Sequence, residues 1–171
     1  MKTFLIILTS AVLCYAEESG KTSDWAKTQW GMTDQQVRAI YPDAVVVSPK
    51  ARGKPPPKEA KLKLESYLIG RDSFEVKFFF DADGGLDEVD VSKDAKYDWE
   101  LLSTLHNLED LLTQKYGPPS LRAPERDGGL RVLWSKSDLS VALHYSPFPT
   151  LSKFMLYIAY KRPKPKTLDR L

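Results

Sequence analysis

The sequence has few of the cysteine and histidine residues that form disulfides and metal sites, and it has no apolar run long enough for a membrane-spanning helix. Its 171 residues include one cysteine, Cys14, and two histidines, His106 and His144. A structural zinc site needs about four cysteine or histidine ligands at short spacing, and no such set is present. No apolar run approaches the roughly 20 residues that cross a bilayer as a helix. We therefore expect no metal, no cofactor and no integral membrane span.

The chain also carries almost no net charge. It has 25 Lys and Arg against 23 Asp and Glu, which gives a formal net charge of +2. Nucleic-acid-binding proteins usually show a strong basic excess, so nucleic acid is not an expected partner. With 42% hydrophobic and 28% charged residues, the composition is typical of a globular domain and excludes a disordered acidic tail or a collagen-like repeat.

Residues 1–16 have the three-part layout of a secretory signal peptide. Lys2 supplies a positive charge, Phe4–Leu13 is mostly apolar, and Ala16 is a small residue just before a charged pair. The pattern predicts cleavage near Ala16 and a periplasmic or secreted mature protein. Because Cys14 is removed with the signal, the mature chain has no cysteine. A disulfide-free exported domain favours a bacterial periplasm over an animal extracellular module.

A competing hypothesis for the N-terminus is a lipid anchor at Cys14, which would give a lipid-anchored outer-membrane structural protein. Bacterial lipoprotein signals normally carry Gly, Ala or Ser just before the lipidated cysteine, whereas this chain has Leu13 there. The sequence therefore favours cleavage near Ala16. The mass of the mature N-terminus distinguishes the two hypotheses.

Two helices are indicated by capping signals and periodicity. Thr33 and Gln36 have the spacing of a capping box, and Pro42 ends the first helix. A longer helix is predicted from about Asp98 to Tyr116, ended by Gly117. Its apolar residues recur at intervals of three and four and therefore form one stripe, made of Leu101, Leu105, Leu108, Leu112 and Tyr116.

Six strands are predicted from alternating apolar and polar residues, three after each helix. The core-facing residues of these strands include Leu62, Leu64, Leu68, Phe74, Val76, Phe78, Phe80, Leu130, Val132, Trp134, Leu139, Val141, Leu143, Tyr145, Phe154, Leu156, Ile158 and Tyr160. Ala44–Val47 indicates a further short strand. The basic, proline-rich segment 48–60 is predicted to be a solvated loop, with a docking arm for an acidic or proline-recognising partner as the alternative.

This order of elements predicts an α+β fold built from tandem helix–three-strand units. One unit has too little apolar face to stand alone, so two would join into one antiparallel sheet with both helices packed on one face. The predicted segments are a flexible N-terminal arm at 17–29, a first α/β unit at 30–95, a second unit at 96–160 and a basic tail at 161–171.

Two short motifs carry a resemblance to a known group of proteins. Gly31-Met32-Thr33 is followed by Val37, and Tyr116-Gly117-Pro118 closes a helix before strands. This pattern resembles the β-lactamase-inhibitor-protein-like superfamily and the similar domain of small outer-membrane assembly lipoproteins. The resemblance implies tandem helix–antiparallel-sheet units and a protein-binding mode. Proteins of the inhibitor family are cross-linked by disulfide bonds, which this mature chain lacks. The resemblance does not identify the ligand.

Catalytic signatures are scarce in the sequence. No serine lies in a G-x-S-x-G elbow, and Asp81–Gly85 matches a strand-to-strand turn better than a calcium loop, because Leu86 and Ser92 occupy the positions that require glycine and glutamate. We therefore expect a non-enzymatic protein. The alternative is an envelope hydrolase with an acid/base site that the sequence does not reveal.

The second face of the predicted sheet is the most informative feature. Residues of opposite parity to the core set would project there, with charged residues around them, as in a recognition surface. The predicted binding residues are Tyr67, Phe79, Leu133, His144, Met155 and Tyr157. The leading hypothesis is a protein partner in the cell envelope. The rival is that this face is covered by the 48–60 loop, the N-terminal arm or the tail.

Overall fold

The computed structural model describes residues 25–47, 60–148 and 153–163. Several predictions lie outside the described residues: those for the signal peptide 1–16, for Cys14, for the arm as far as residue 24, for the loop at 48–59 and for the tail from residue 164 onward.

The described residues form two helices and eight strands in one antiparallel sheet, so the α+β prediction is confirmed. The helices are α1 (Asp34–Ile40) and α2 (Trp99–Tyr116). The strands are β1 (Val45–Val46), β2 (Ala60–Ile69), β3 (Asp72–Phe80), β4 (Leu86–Ala95), β5 (Leu121–Pro124), β6 (Leu130–Ser135), β7 (Ser140–Phe148) and β8 (Lys153–Lys161). Their order across the sheet is β1-β2-β3-β4-β8-β7-β6-β5.

The sheet has eight strands rather than six because a short strand lies at each edge. β1 corresponds to the short strand indicated at Ala44–Val47, whereas β5 is not among the predicted strands. β5 contains Pro124, which lacks a backbone N–H and suits an edge strand, where no second neighbour needs that donor. Its pairing with β6, which places Leu121 opposite Leu133, forms the strand despite a weak local pattern.

Both helices pack on one face of the sheet, which we call the helix face. The apolar stripe of α2 is confirmed, since Leu101, Leu105, Leu108 and Leu112 are buried in the same core as the inward residues of the strands. Trp134 on β6 is 1% exposed, and its indole Nε1 donates a hydrogen bond of 3.0 Å to the carbonyl of Gly117 at the end of α2. That bond ties the second helix to the sheet.

The last part of the predicted flexible arm belongs to the folded unit. Trp25 is 4% exposed, and its ring lies 5.6 Å from Phe78 and 5.0 Å from Tyr67 between ring centroids. Thr28 is fully buried and donates a hydrogen bond of 2.7 Å to the carbonyl of Trp25. Residues 25–29 therefore differ from the flexible segment predicted for 17–29, because one aromatic side chain anchors them to the core.

A β-bulge in β2 reverses which side chains face the core. The register shifts between Leu64 and Tyr67, so one extra residue is inserted into that strand. A shift of one residue moves the following side chains to the opposite face. Tyr67 consequently pairs with the core residue Phe74 and packs on the helix face, whereas Leu68, predicted in the core, is 69% exposed.

The capping box of α1 is present as predicted. The Thr33 hydroxyl accepts a hydrogen bond of 3.3 Å from the Gln36 backbone N–H, and the Thr33 N–H donates one of 2.9 Å to the Gln36 side chain. Because α1 has only seven residues, its end groups are a large share of its hydrogen bonds.

We expect Thr33→Ala to lower the free energy of unfolding by about 1 kcal/mol, measured by urea denaturation. Thr33→Ser keeps the acceptor oxygen and is the matched control, with little expected change. Equal stability of the alanine and serine variants would show that Val37 packing alone holds this helix in place.

Candidate functional site: a cavity on the open face of the sheet

The face opposite the helices, which we call the open face, contains a cavity of about 460 Å³ over the centre of the sheet. Side chains of directly opposed residues share a face in an antiparallel sheet. One row runs across five strands, in the order Lys77, Asp90, Ala159, Ala142 and Leu133. Two flanking rows contain Glu88, Lys161 and Ser140 on one side and Ser92, Tyr157, His144 and Arg131 on the other. Long-range pairing of β4 with β8 therefore assembles the cavity.

The apolar part of the cavity is made by Leu133, Ala142, Met155 and Ala159. Ala142 and Ala159 are 8% and 4% exposed, and their small side chains leave the space above the strands open. Leu133 and Met155 are half-buried at its sides. This mixture of small buried residues and larger half-buried ones gives the site an apolar floor.

An aromatic stack forms one wall of the cavity. His144 and Tyr157 are direct cross-strand partners, and their rings lie 4.5 Å apart between centroids at an interplanar angle of 1°. His144 Nδ1 lies 3.5 Å from a carboxylate oxygen of Glu125. Burial lowers the pKa of His144 below its usual range, with Glu125 opposing that effect, so the imidazole is uncharged at neutral pH. Burial likewise raises the pKa of Tyr157 and keeps the phenol protonated.

Two carboxylates on β4 enter the cavity side by side. Glu88 is 9% exposed, and its carboxylate oxygen lies 2.9 Å from the ammonium group of Lys161. Asp90 lies two residues further along the strand. Burial raises the pKa of Asp90 to about 6, the negative charge of Glu88 adds to the rise, and Lys161 and Lys77 oppose it. Asp90 Oδ1 is buried and accepts no hydrogen bond from any described residue.

The cationic side chains around the cavity differ in their pairing. The Lys77 ammonium lies 2.5 Å from Glu75, its neighbour but one on β3, and Lys161 is paired with Glu88. Arg131 on β6 is exposed at the rim. The two lysines are therefore paired with carboxylates, and Arg131 lies at the edge of the site. Asp90 Oδ1 is a hydrogen-bond acceptor within the cavity that has no donor among the described residues.

Four of the six predicted binding residues line this cavity, namely Leu133, His144, Met155 and Tyr157. Phe79 lies on the same face, directly opposite Glu88, at the side of the cavity. The placement predicted for Tyr67 is wrong, because the bulge in β2 turns it into the core. The open face thus collects five of the six residues.

The carboxylates of β4 were missed by the sequence reasoning, although a signal for them exists. Val89 and Val91 are core residues, so Glu88 and Asp90 must project from the opposite face by simple alternation. Their proximity to Lys161 could not be read locally, because it depends on the pairing of β4 with β8.

A second cavity, of about 630 Å³, lies on the helix face between the β2–β3 turn and α2. Of the charged residues that line it, Asp72 forms an ion pair with Lys93 and accepts a hydrogen bond of 3.0 Å from Thr104 on α2. The hydrogen bond from Lys93 lowers the pKa of Asp72. These contacts fasten α2 to β3 and β4, which is a structural role.

Neither helix in the described residues is long and apolar enough to cross a membrane. The same part of the chain has no group of three or more His, Cys, Asp or Glu side chains placed to hold a metal ion. Comparison of the chain with protein-family models, curated proteins and solved structures gives no match.

Proposed function

We propose that this chain is an exported, non-enzymatic protein-binding module, and that the cavity on the open face is where it contacts a partner in the cell envelope. The observation that carries the proposal is the combination of an apolar floor, a half-buried ring stack and an unsatisfied carboxylate in one cavity. Interfaces commonly centre on such desolvated pockets with aromatic anchors and a charged rim. The predicted signal peptide supports the location in the envelope.

The sheet order supports a further part of the proposal, the tandem arrangement of units 30–95 and 96–160. Each unit would contribute one helix and a run of four antiparallel strands, with β4 and β8 meeting in the middle. The cavity residues come from β3 and β4 in the first unit and from β6, β7 and β8 in the second. The site would therefore be created by joining the units, in keeping with the resemblance to the inhibitor-like superfamily.

The test is capture of a partner from the native envelope by the wild-type chain and by a Tyr157→Ser variant. We expect capture to fall about 30-fold, because a central interface anchor contributes about 2 kcal/mol or more. Leu111→Ser is the matched control, since Leu111 is 51% exposed on α2 and lies away from the open face.

Leu133→Ser provides a second cavity variant in case Tyr157→Ser is poorly folded. Loss of capture in both cavity variants with retained melting temperature supports the proposal. Full capture by a folded Leu133→Ser or Tyr157→Ser variant contradicts it, as does loss of capture in Leu111→Ser.

One alternative function has a specific observation in its favour. A carboxyl group with a pKa of about 6 beside a second carboxylate is the kind of pair that hydrolases use for acid/base chemistry. The alternative is an envelope hydrolase, for which turnover of peptidoglycan or ester substrates would be lost in Asp90→Asn or His144→Ala. The absence of turnover by the wild-type chain would exclude it for those substrates.

A further inference from the structure

We propose that the cavity on the open face receives an arginine side chain of the partner, with its guanidinium group on Asp90. This inference rests on the proposed function and names the chemistry of the contact. It follows from three features of the described residues. Asp90 Oδ1 has no hydrogen-bond donor, and the nearby lysines are already paired with carboxylates. The cavity also has aromatic and small apolar walls that suit a planar guanidinium and its methylene chain.

The acceptor is Asp90 Oδ1, which is buried and has no hydrogen-bond donor among the described residues. A buried polar atom without a partner is costly, and the cost is larger for an ionised group. Glu88 on the same strand adds negative charge and shares a side-chain hydrogen bond with Asp90, and Asp90 Oδ1 is still left without a donor. A cationic group that enters from solvent would supply the missing hydrogen bond and would add to the favourable charge of Lys161 and Lys77.

An anionic ligand is disfavoured by the pairing of the nearby lysines. Lys161 lies 2.9 Å from Glu88, and Lys77 lies 2.5 Å from Glu75, so both ammonium groups are already compensated. An anion would also have to approach two carboxylates within the cavity. Arg131 at the rim is the remaining lining cation, and it is exposed to solvent.

The remaining walls fit an arginine better than a compact ammonium ion. The rings of His144 and Tyr157 stack on each other, and Arg131 is the other cross-strand neighbour of His144. A planar guanidinium would therefore stack on the outer face of Tyr157. Ala142 and Ala159 leave an apolar channel for the methylene groups. The volume of about 460 Å³ is ample for one such side chain.

The experiment titrates the purified chain with N-acetyl-arginine amide and, in parallel, with the citrulline analogue, which has nearly the same shape but no charge. The methyl NMR signals of Ala142 and Ala159 report occupancy of the cavity. We expect a saturable shift with arginine amide, with a Kd on the order of 1 mM, and binding at least about tenfold weaker for citrulline.

Two variants locate the contact. Asp90→Asn removes the charge and should weaken arginine-amide binding about tenfold or more, whereas Asp94→Asn, on the same strand and paired with Lys153, should leave it unchanged. Equal binding of arginine and citrulline, unaltered binding in Asp90→Asn, or no saturable shift overturns the inference. The capture experiment on Tyr157 and Leu133 does not use these probes, so the proposed function and this inference fail separately.

Discussion

Trp134→Ala is expected to lower the free energy of unfolding by about 3–5 kcal/mol, the range for truncating a large buried aromatic side chain. Trp134 on β6 is 1% exposed and belongs to the buried core. Its indole Nε1 donates a hydrogen bond to the carbonyl of Gly117. Its removal leaves a cavity, and it also removes the hydrogen bond between β6 and the C-terminal end of α2. Urea denaturation followed by circular dichroism measures the loss.

Trp99→Ala is the matched control for this change. Trp99 is 67% exposed at the start of α2 and stacks on Tyr97, also exposed, at 6.2 Å between ring centroids. Its loss should cost less than about 1 kcal/mol, as is usual for surface positions. A loss below about 1 kcal/mol in Trp134→Ala as well would contradict the placement of β6 and α2 around one core.

Asp90→Asn is expected to make the protein more stable at pH 7.5, by an amount on the order of 1–3 kcal/mol. Burial and the charge of Glu88 raise the pKa of Asp90 from 3.8 in the unfolded chain to about 6 in the fold. At a pH between these two pKa values, Asp90 is mostly protonated in the folded state and mostly ionised in the unfolded state. The Asp90 contribution to stability is therefore present below about pH 4 and is lost as pH rises through about 6. A rise in the pKa from 3.8 to about 6 corresponds to about 3 kcal/mol at most, because Asp90 retains some contact with water and shares its site with Glu88.

Urea unfolding at pH 4 and pH 7.5 checks the sign of this effect. The groups that face Asp90 are Glu88 on its own strand, Lys77 on β3, and Lys161 and Tyr157 on β8. The stability advantage of Asp90→Asn over the wild type should appear at pH 7.5 and shrink at pH 4. Asp94→Asn, whose side chain is 52% exposed, should stay within about 0.5 kcal/mol at both values. A less stable Asp90→Asn at pH 7.5 would mean that the ionised carboxylate makes a stabilising contact.

A stabilising Asp90→Asn change would also bear on function. A carboxylate that costs stability in the isolated protein is expected where binding, rather than folding, requires it. Under the proposals above, the arginine of the partner offsets that cost in the complex.

Local sequence signals were sufficient for the helices and most strands. The Thr33–Gln36 spacing and the leucine stripe from Leu101 to Leu112 depend on residues within one or two turns of each other, so periodicity predicts them well. The bulge after Leu64 could not be read in the same way. Leu62, Leu64 and Leu68 have the same parity in the sequence, and only the pairing of β2 with β3 places an extra residue between Leu64 and Tyr67.

The part of the candidate site that could be predicted is the part where alternation along one strand fixes the face on which a side chain lies. Alternation along β6, β7 and β8 places Leu133, His144 and Tyr157 on one face, and the structure brings them together. The charged half of the cavity depends on which strands are neighbours. β4 pairs with β8, far away in sequence, so the contact of Glu88 with Lys161 follows from the topology and not from any local pattern.

Site-specific photo-cross-linking in cells that produce the full chain tests the central claim most directly. A benzophenone side chain in place of Leu133 lies at the cavity, and one in place of Leu111 lies on the other side of the sheet. We predict a discrete covalent adduct with one protein from position 133 and none from position 111. Adducts from position 111 alone, or the same adducts from both positions, would contradict a partner site on the open face.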